Sequence, residues 1–376
     1  MNILILHGSS DLYGASKILL VTVRAIIKKG HKPLVVLTED GPLAEQLKQL
    51  GAEVNFIRLG ILRRKYKTLP GIINRLQVIR NAWQDIKKLI SERKIGLVYS
   101  NTTAVLAGAF AARSMGIRHI WHVHEIIESP KWMYRFLGNL LNRYSDKVIV
   151  VSAAVKKSWS KYVSPDKLEL IYNGIDYTPY LQSSGKLRKE LGIDEQTVII
   201  GMIGRVHYWK GQEYFLRIAS QISKQNNDVR FVMIGDAFPG YEYLYEKLDL
   251  IIKQENVGHL VYDLGYRTDV AELLAGFDIL VLPSILPDPF PTVVLEAMAS
   301  AKPVAATQHG GALEMVDDTI TGVWIPANDV QKASAMIGKL AADKTARIRM
   351  GEAGRKKVLE QYSMEAFENK MLKVLE

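Results

Sequence analysis

Asp288 stands in a proline-rich turn within PDPFPTVVLEAMASAKPV, residues 287 to 304, eight residues ahead of Glu296, which falls in an apolar run with helical spacing. Pro287, Pro289 and Pro291 rule out helix up to that point, so the spacing predicts a helix starting near Thr292 with Pro291 at its tolerated first turn. Such a start leaves the amides of Thr292, Val293 and Val294 without carbonyl partners, and the helix dipole makes them an anion site. Two carboxylates bracketing a positive pocket suit a ligand that carries both hydroxyls and a phosphate.

Three further clusters could do chemistry. GRVHYWKG, residues 204 to 211, sets Arg205 and Lys210 on a loop where they can converge on a diphosphate, the arginine as a fork and the lysine as a point charge. The bland alternative is a basic surface loop. GSSDLYG, residues 8 to 14, lets backbone approach a ligand at Gly8 and Gly14; it is not a GxGxxG fingerprint, and a simple tight turn would look the same. HVHE, residues 122 to 125, puts His122 and His124 on one strand face and Glu125 on the other. With no third ligand at metal-site spacing, His122 reads as a satisfied structural histidine, and His124, nearer the strand end, as a group that bonds a substrate or takes a proton. The chain contains no Asp-x-Asp, which argues against a carboxylate clamp for a divalent ion.

These loops need a scaffold that collects them. Short β-branched runs alternate with helical patterns: NILILHG, then GASKILLVTVRAIIKKGH, then KPLVVLT, and onward through IGLVYSN, RHIWHVHE and DKVIVVS. Alternating strand and helix means a parallel sheet covered on both faces. The pattern lapses at LELIYNGIDYTPY and restarts with TVIIGMIG, VRFVMIG, HLVYDLG, FDILVLPS, KPVAAT and TGVWIP, so a second domain of the same kind begins near residues 176 to 190. Each cluster follows the carboxyl end of a strand, where open parallel sheets bind ligands. Two such domains facing each other would line all four loops along one cleft.

At 376 residues, with 48% hydrophobic and 23% charged residues, the chain is long enough for two cores. The absence of cysteine excludes disulfides, thiolate metal sites and a cysteine nucleophile. MNILILHGSS lacks a basic leader and a long apolar run, and VLAGAFAARSMGI is short and interrupted by Arg113, so a cytoplasmic protein without a membrane span is expected. The formal charge of +10 is uneven: residues 1 to 180 hold 27 Lys and Arg against 13 acids, residues 181 to 376 hold 22 against 26. The excess gathers in residues 58 to 94, where Ile72, Ile73, Leu76, Ile79, Trp83, Ile86 and Ile90 recur at helical spacing beside Arg63, Arg64, Lys65, Lys67, Arg75 and Arg80. This basic amphipathic helix is either an ordinary solvated face or a patch for anionic lipid or an acidic acceptor. No aromatic-interleaved pattern points to nucleic acid.

Taken together, DLYGASKILL, VIVVSAAVKK, LIYNGID, GRVHYWKG, VMIGD, DLGYRTDVAELLAGFDILVLPS, DPFPTVVLEAMASAKPVAAT and GGALEMV, in this order across nearly the whole chain, resemble the retaining GT-B glycosyltransferases of family 4. The resemblance implies a Rossmann-like acceptor domain over 1–180, completed by a terminal helix over 362–376, and a nucleotide-sugar domain over 181–361. It implies that Arg205 and Lys210 neutralise the leaving diphosphate, that Glu296 holds the ribose hydroxyls, and that Asp288 and His124 meet the transferred sugar. Gly14 falls in the loop facing the diphosphate, Tyr266 and Arg267 border the base, and Pro291, Thr292 and Val293 form the helix start beneath the phosphates. Asp288 departs from the family's E-x7-E, being one methylene shorter than the usual glutamate. The expected reaction moves a sugar from a UDP- or GDP-sugar to a hydroxyl of a glycan or lipid-linked acceptor, with retention and without a metal or other cofactor. An envelope glycan made on the inner face of the plasma membrane, touched peripherally through 58–94, fits the basic first half. Two other classes remain on residues alone: a nicotinamide-dependent oxidoreductase using Glu39 or Asp40, and a non-catalytic nucleotide-sugar-binding protein.

Overall fold

The computed structural model describes residues 1–61, 68–127, 129–226, 228–238 and 240–376. Two compact units divide the chain: Met1–Ile175 together with Met364–Glu376, and Asp176–Ser363. Both are α/β units built on a wholly parallel sheet.

In the first unit the strands are β1 Asn2–His7, β2 Lys32–Leu37, β3 Glu53–Phe56, β4 Leu97–Asn101, β5 Arg118–Val123, β6 Lys147–Val150 and β7 Leu168–Leu170, in the order β3-β2-β1-β4-β5-β6-β7. Ile3, Leu4, Ile5 and Leu6 of β1 are fully buried, as a central strand covered by helices on both faces requires. Strand β7 forms where the sequence pattern was expected to lapse. The order reverses between β1 and β4, whose registered ends pair His7 with Asn101. Such a switch point opens a crevice at the carboxyl ends of its strands. The helix Met364–Leu375 buries Phe367, Met371 and Leu375 in this unit. Glu368 lies 3.5 Å from Arg24, and Arg118 donates to the last carbonyls at Val374 and Leu375, where the helix dipole favours a cation.

The basic helix spans Leu69–Glu92, with Thr68 as N-cap. Its apolar stripe is buried only from Ile79 onward; Ile73 and Leu76 are 58% and 62% exposed. Length explains this. Twenty-four residues extend about 36 Å, whereas the neighbouring helix Ala107–Met115 has nine residues and covers only part of that span. Arg63, Arg64, Lys65 and Lys67 lie outside the described residues.

The second unit carries β8 Val198–Ile203, β9 Val229–Ile234, β10 Val261–Asp263, β11 Ile279–Leu282, β12 Val304–Thr307 and β13 Gly322–Ile325, ordered β10-β9-β8-β11-β12-β13. Its switch point lies between β8 and β11, and Phe215, Phe231, Ile200 and Ile279 fill the layer beneath. No helix among the described residues is long and apolar enough to cross a membrane.

Candidate active site

The second unit brings three of the candidate residues to the β8/β11 switch point. Arg205 and Lys210 occupy the loop after β8, and Asp288 the turn after β11. Two devices hold these loops together. Ile285 donates its amide to the Trp209 carbonyl at 2.8 Å, and Gly211, at φ +85°, packs on Pro283 so closely that a Cβ would stand 2.7 Å from the Pro283 carbonyl carbon. Only glycine fits a left-handed backbone pressed on another chain segment. Lys210 consequently forms an ion pair and hydrogen bond with Asp288 Oδ2, which also accepts from Ser284 Oγ at 3.3 Å. The ammonium sits 4.4 Å from the Trp209 ring centroid, and the Arg205 guanidinium lies 3.2 Å over Phe238. Buried Gln212 fastens the loop from inside, donating to the Arg205 carbonyl at 2.9 Å.

The helix predicted near Thr292 spans Thr292–Ala299, with Pro291 as its N-cap. One expectation needs correction: Val294 donates to the Pro291 carbonyl at 3.0 Å in a tightened first turn, so its amide is already used. The amides of Thr292 and Val293 remain as the donors at this helix start. Glu296, buried, has the Tyr180 hydroxyl at hydrogen-bonding range; burial first, and then the Glu296 charge, push that phenol's pKa upward. Tyr180 lies in the short helix Thr178–Gln182. The turn containing Asp288 is held from outside by Gly310 and Gly311. Gly311 donates to the Asp288 carbonyl at 2.7 Å, and a Cβ on Gly310, at φ +65°, would stand 2.7 Å from the Asp288 nitrogen.

Tyr266 is 46% exposed beyond β10. Arg267 directs its fork at carboxylates of its own unit, reaching Glu190 at 2.5 Å and Asp269 at 2.7 and 2.8 Å. These bonds raise the guanidinium pKa and hold Asp269 below the usual carboxylate range.

In the first unit His124 follows the end of β5, as its sequence position implied. Its Nε2 meets Asn101 Oδ1 at 2.8 Å, and its ring centroid lies 4.0 Å from that of His122. His122 is structural but only half satisfied: Tyr99 bonds its Nδ1, while its buried Nε2 has no hydrogen-bond partner. Burial holds His122 down to about 3 and His124 well below its ordinary value, with neighbouring histidines adding to the effect on His124. Glu125 accepts the amides of Thr103 at 3.1 Å and His124 at 3.0 Å, yet burial outweighs those bonds and pushes its carboxyl up to about 7. Gly14 opens the helix Gly14–Lys28 behind β1, just after Asp11, whose side chain accepts from Ser9 Oγ and the Tyr13 amide at 2.6 and 3.1 Å. Among the described residues no group of three or more His, Asp and Glu is arranged to hold a metal ion.

Residues that pattern reading missed include Asn101, Gln212 and Tyr180. Asn101 carries a weak signal as a polar residue at a strand end, and Gln212 as a polar residue opening a helix after a strand-end loop; Tyr180 carries none, because its partner is more than a hundred residues away in sequence.

Comparison with known proteins completes the picture. Residues 13–178 match the family model described as Glycosyltransferase Family 4, and residues 183–357 the model described as Glycosyl transferases group 1. An uncharacterized glycosyltransferase of Methanocaldococcus jannaschii is 25% identical over 362 residues, covering 85% of this chain and 88% of that protein. The UDP-Gal:alpha-D-GlcNAc-diphosphoundecaprenol alpha-1,3-galactosyltransferase of Escherichia coli is 26% identical over 294 residues, 74% of each chain. Among solved structures, HepE of Anabaena in complex with UDP and glucose superimposes with a TM-score of 0.86 at 25% identity, covering 99% of this chain and 98% of that one. Two parallel-sheet units, strand-end loops bearing paired cations and carboxylates, and matches running through both halves place the chain among the GT-B glycosyltransferases, with a family 4 domain followed by a group 1 domain.

Proposed function

We propose that the protein transfers a hexosyl group from a UDP-sugar to a hydroxyl of a lipid-linked or envelope glycan acceptor, with retention of anomeric configuration and without a metal ion. The observation that carries the donor reading is the convergence, at one switch point, of the Arg205–Lys210 loop, the Asp288 turn and the helix start at Thr292. Breaking the anomeric bond leaves an oxocarbenium-like sugar and a diphosphate with added negative charge. Arg205, Lys210 and the amides of Thr292 and Val293 are the groups that take up that charge, and losing one such donor typically raises a barrier by about 3 kcal/mol. Glu296, steadied by Tyr180, accepts from the ribose hydroxyls. Asp288 accepts from the transferred sugar once Lys210 turns from it to the phosphates. The acceptor hydroxyl attacks on the leaving-group face, and the departing diphosphate takes its proton. His124 binds a sugar hydroxyl, Gly14 faces the diphosphate, and Tyr266 and Arg267 border the uracil through backbone.

UDP rather than GDP is favoured by the UDP-bound relative and by the UDP-Gal-dependent one, and the latter also supports a lipid-linked acceptor. In this assignment residues 181–361 bind the donor, and residues 1–180 with 362–376 take the acceptor. The exposed Ile72, Ile73 and Leu76 beside Arg80 supply the apolar and cationic elements of peripheral contact with an anionic inner leaflet.

Calorimetry with UDP, GDP and NAD, each with and without EDTA, tests the donor site, followed by transfer assays with UDP-sugars. UDP binding that is indifferent to EDTA and lost in Arg205→Ala and Lys210→Ala is expected. NAD binding alone would overturn the reading, and UDP binding without transfer to any acceptor would leave a donor-binding protein.

A further inference from the structure

A directional chain of hydrogen bonds runs through the β1/β4 switch point of the first unit, and its ends decide the direction. Asp11 accepts two donors besides Ser16, so the Ser16 hydroxyl donates to Asp11 Oδ1 at 3.3 Å. That hydroxyl has one proton, so at its 3.0 Å contact with His7 it accepts, and His7 carries its proton on Nε2. Burial holds His7 down to about 4, so its other nitrogen is a lone pair, which receives Asn101 Nδ2 at 2.9 Å. The Asn101 amide is fixed independently, since Nδ2 also points at the Ala15 carbonyl, an acceptor only, at 3.4 Å. Asn101 Oδ1 therefore faces His124 Nε2 and accepts from it.

We propose that Asn101, oriented by His7, Ser16 and Asp11, is the positioning residue that locks His124 as its Nε2–H tautomer, so that the Nδ1 lone pair is what the ring offers to a substrate hydroxyl. His124 then acts as a hydrogen-bond acceptor for a sugar hydroxyl and not as a donor to a phosphate or a carbonyl. The hydroxyl as ligand rests on the glycosyl-transfer reading; the tautomer does not. Among the described residues nothing else bonds His124 Nδ1, whereas the backbone amide is tied to Glu125 and the ring is stacked on His122. A tautomer set by a neighbour's side chain is a property on which catalytic histidines depend by orders of magnitude.

The test is nitrogen NMR of the full chain labelled in its histidine rings, which separates pyrrole-type from pyridine-type nitrogens. His124 is expected to show a pyridine-type Nδ1 and a pyrrole-type Nε2. Asn101→Leu, which removes the acceptor, should average the two, and Asn101→Asp, which retains an acceptor, should preserve them and also covers the case in which the leucine variant fails to fold. In transfer assays Asn101→Leu should lower kcat/KM tenfold or more while UDP affinity stays within twofold, and Asn101→Asp should recover most of the loss. A wild-type His124 protonated on Nδ1, or a pattern indifferent to Asn101→Leu, overturns the proposal. The expected tautomer in a protein that transfers no sugar would refute the hydroxyl as its ligand, and the transfer reading with it, while the lock itself would stand.

Discussion

Replacing Gly211 with alanine should loosen the loop that carries Arg205 and Lys210, and Gly192 provides the control that isolates why. Both glycines are left-handed, at φ +85° and +66°, so alanine at either pays the backbone cost of that region, roughly 1–2 kcal/mol. Around Gly192, which caps the helix Leu187–Leu191, an added methyl meets nothing within 4 Å. At Gly211 it would overlap the Pro283 carbonyl, meeting the oxygen first and standing 2.7 Å from the carbon where ordinary contact begins at 3.4 Å, so backbone must withdraw by more than about 0.7 Å. Overpacking of this kind costs about 1–3 kcal/mol more. For a unit of this size each kcal/mol lowers Tm by about 2–4 °C, which puts Gly192→Ala near a 4 °C loss and Gly211→Ala near 10 °C. UDP calorimetry then separates stability from geometry. Only Gly211→Ala moves Lys210 from Asp288, so only it should weaken UDP binding, by about tenfold or more. Equal losses of Tm in the two variants, or undiminished UDP affinity in Gly211→Ala, would refute the argument that Pro283 and Gly211 set the cation loop.

Tyr180→Phe removes one hydrogen bond to Glu296, worth about 1 kcal/mol, and should weaken UDP binding about fivefold while leaving the affinity for inorganic diphosphate unchanged. Glu125 has a folded pKa of about 7, above its unfolded value, so the folded chain binds the extra proton and stability falls as pH rises from about 4.5 to 7. Glu125→Gln should therefore gain on the wild type across that window, by about 2 kcal/mol after allowance for partial exposure, in urea melts at several pH values. The buried histidines act oppositely: His7, His119 and His122 have folded values of about 4, 4 and 3, so their contribution is present above about 6.5 and is lost as pH falls toward 4. His122→Phe should flatten that acid limb. Neutralising Arg75 and Arg80 to glutamine should reduce binding to anionic vesicles by about 1 kcal/mol per site, with no effect on neutral ones.

The sequence reveals most where chemistry and local rules coincide. The prolines at 287, 289 and 291 fix a helix start that the structure places at Thr292, because a missing N–H and a locked φ act within one turn. Alternating β-branched runs reveal the parallel sheets for the same local reason. What stays hidden is set by pairings distant in sequence. The ion pair of Lys210 with Asp288 spans 78 positions, and it depends on Gly211 lying against Pro283. Periodicity likewise shows which face Ile72 to Ile90 occupy but not how much of that face a neighbouring helix is long enough to cover. The tightened first turn that consumes the Val294 amide is a matter of ångströms. The chain from Asp11 to His124 joins three separate strand-end segments, each unremarkable when read alone.

Gly310 and Gly311 bear on how this site can change over generations. Their backbone lies against residues 287 to 290 with no side chain between, so the loop after β12 and the carboxylate-bearing turn behave as a single cast piece. A lineage exploring new sugars cannot drift at 310 or 311 without moving Asp288. A library built to alter donor choice should hold both glycines fixed and randomise around them.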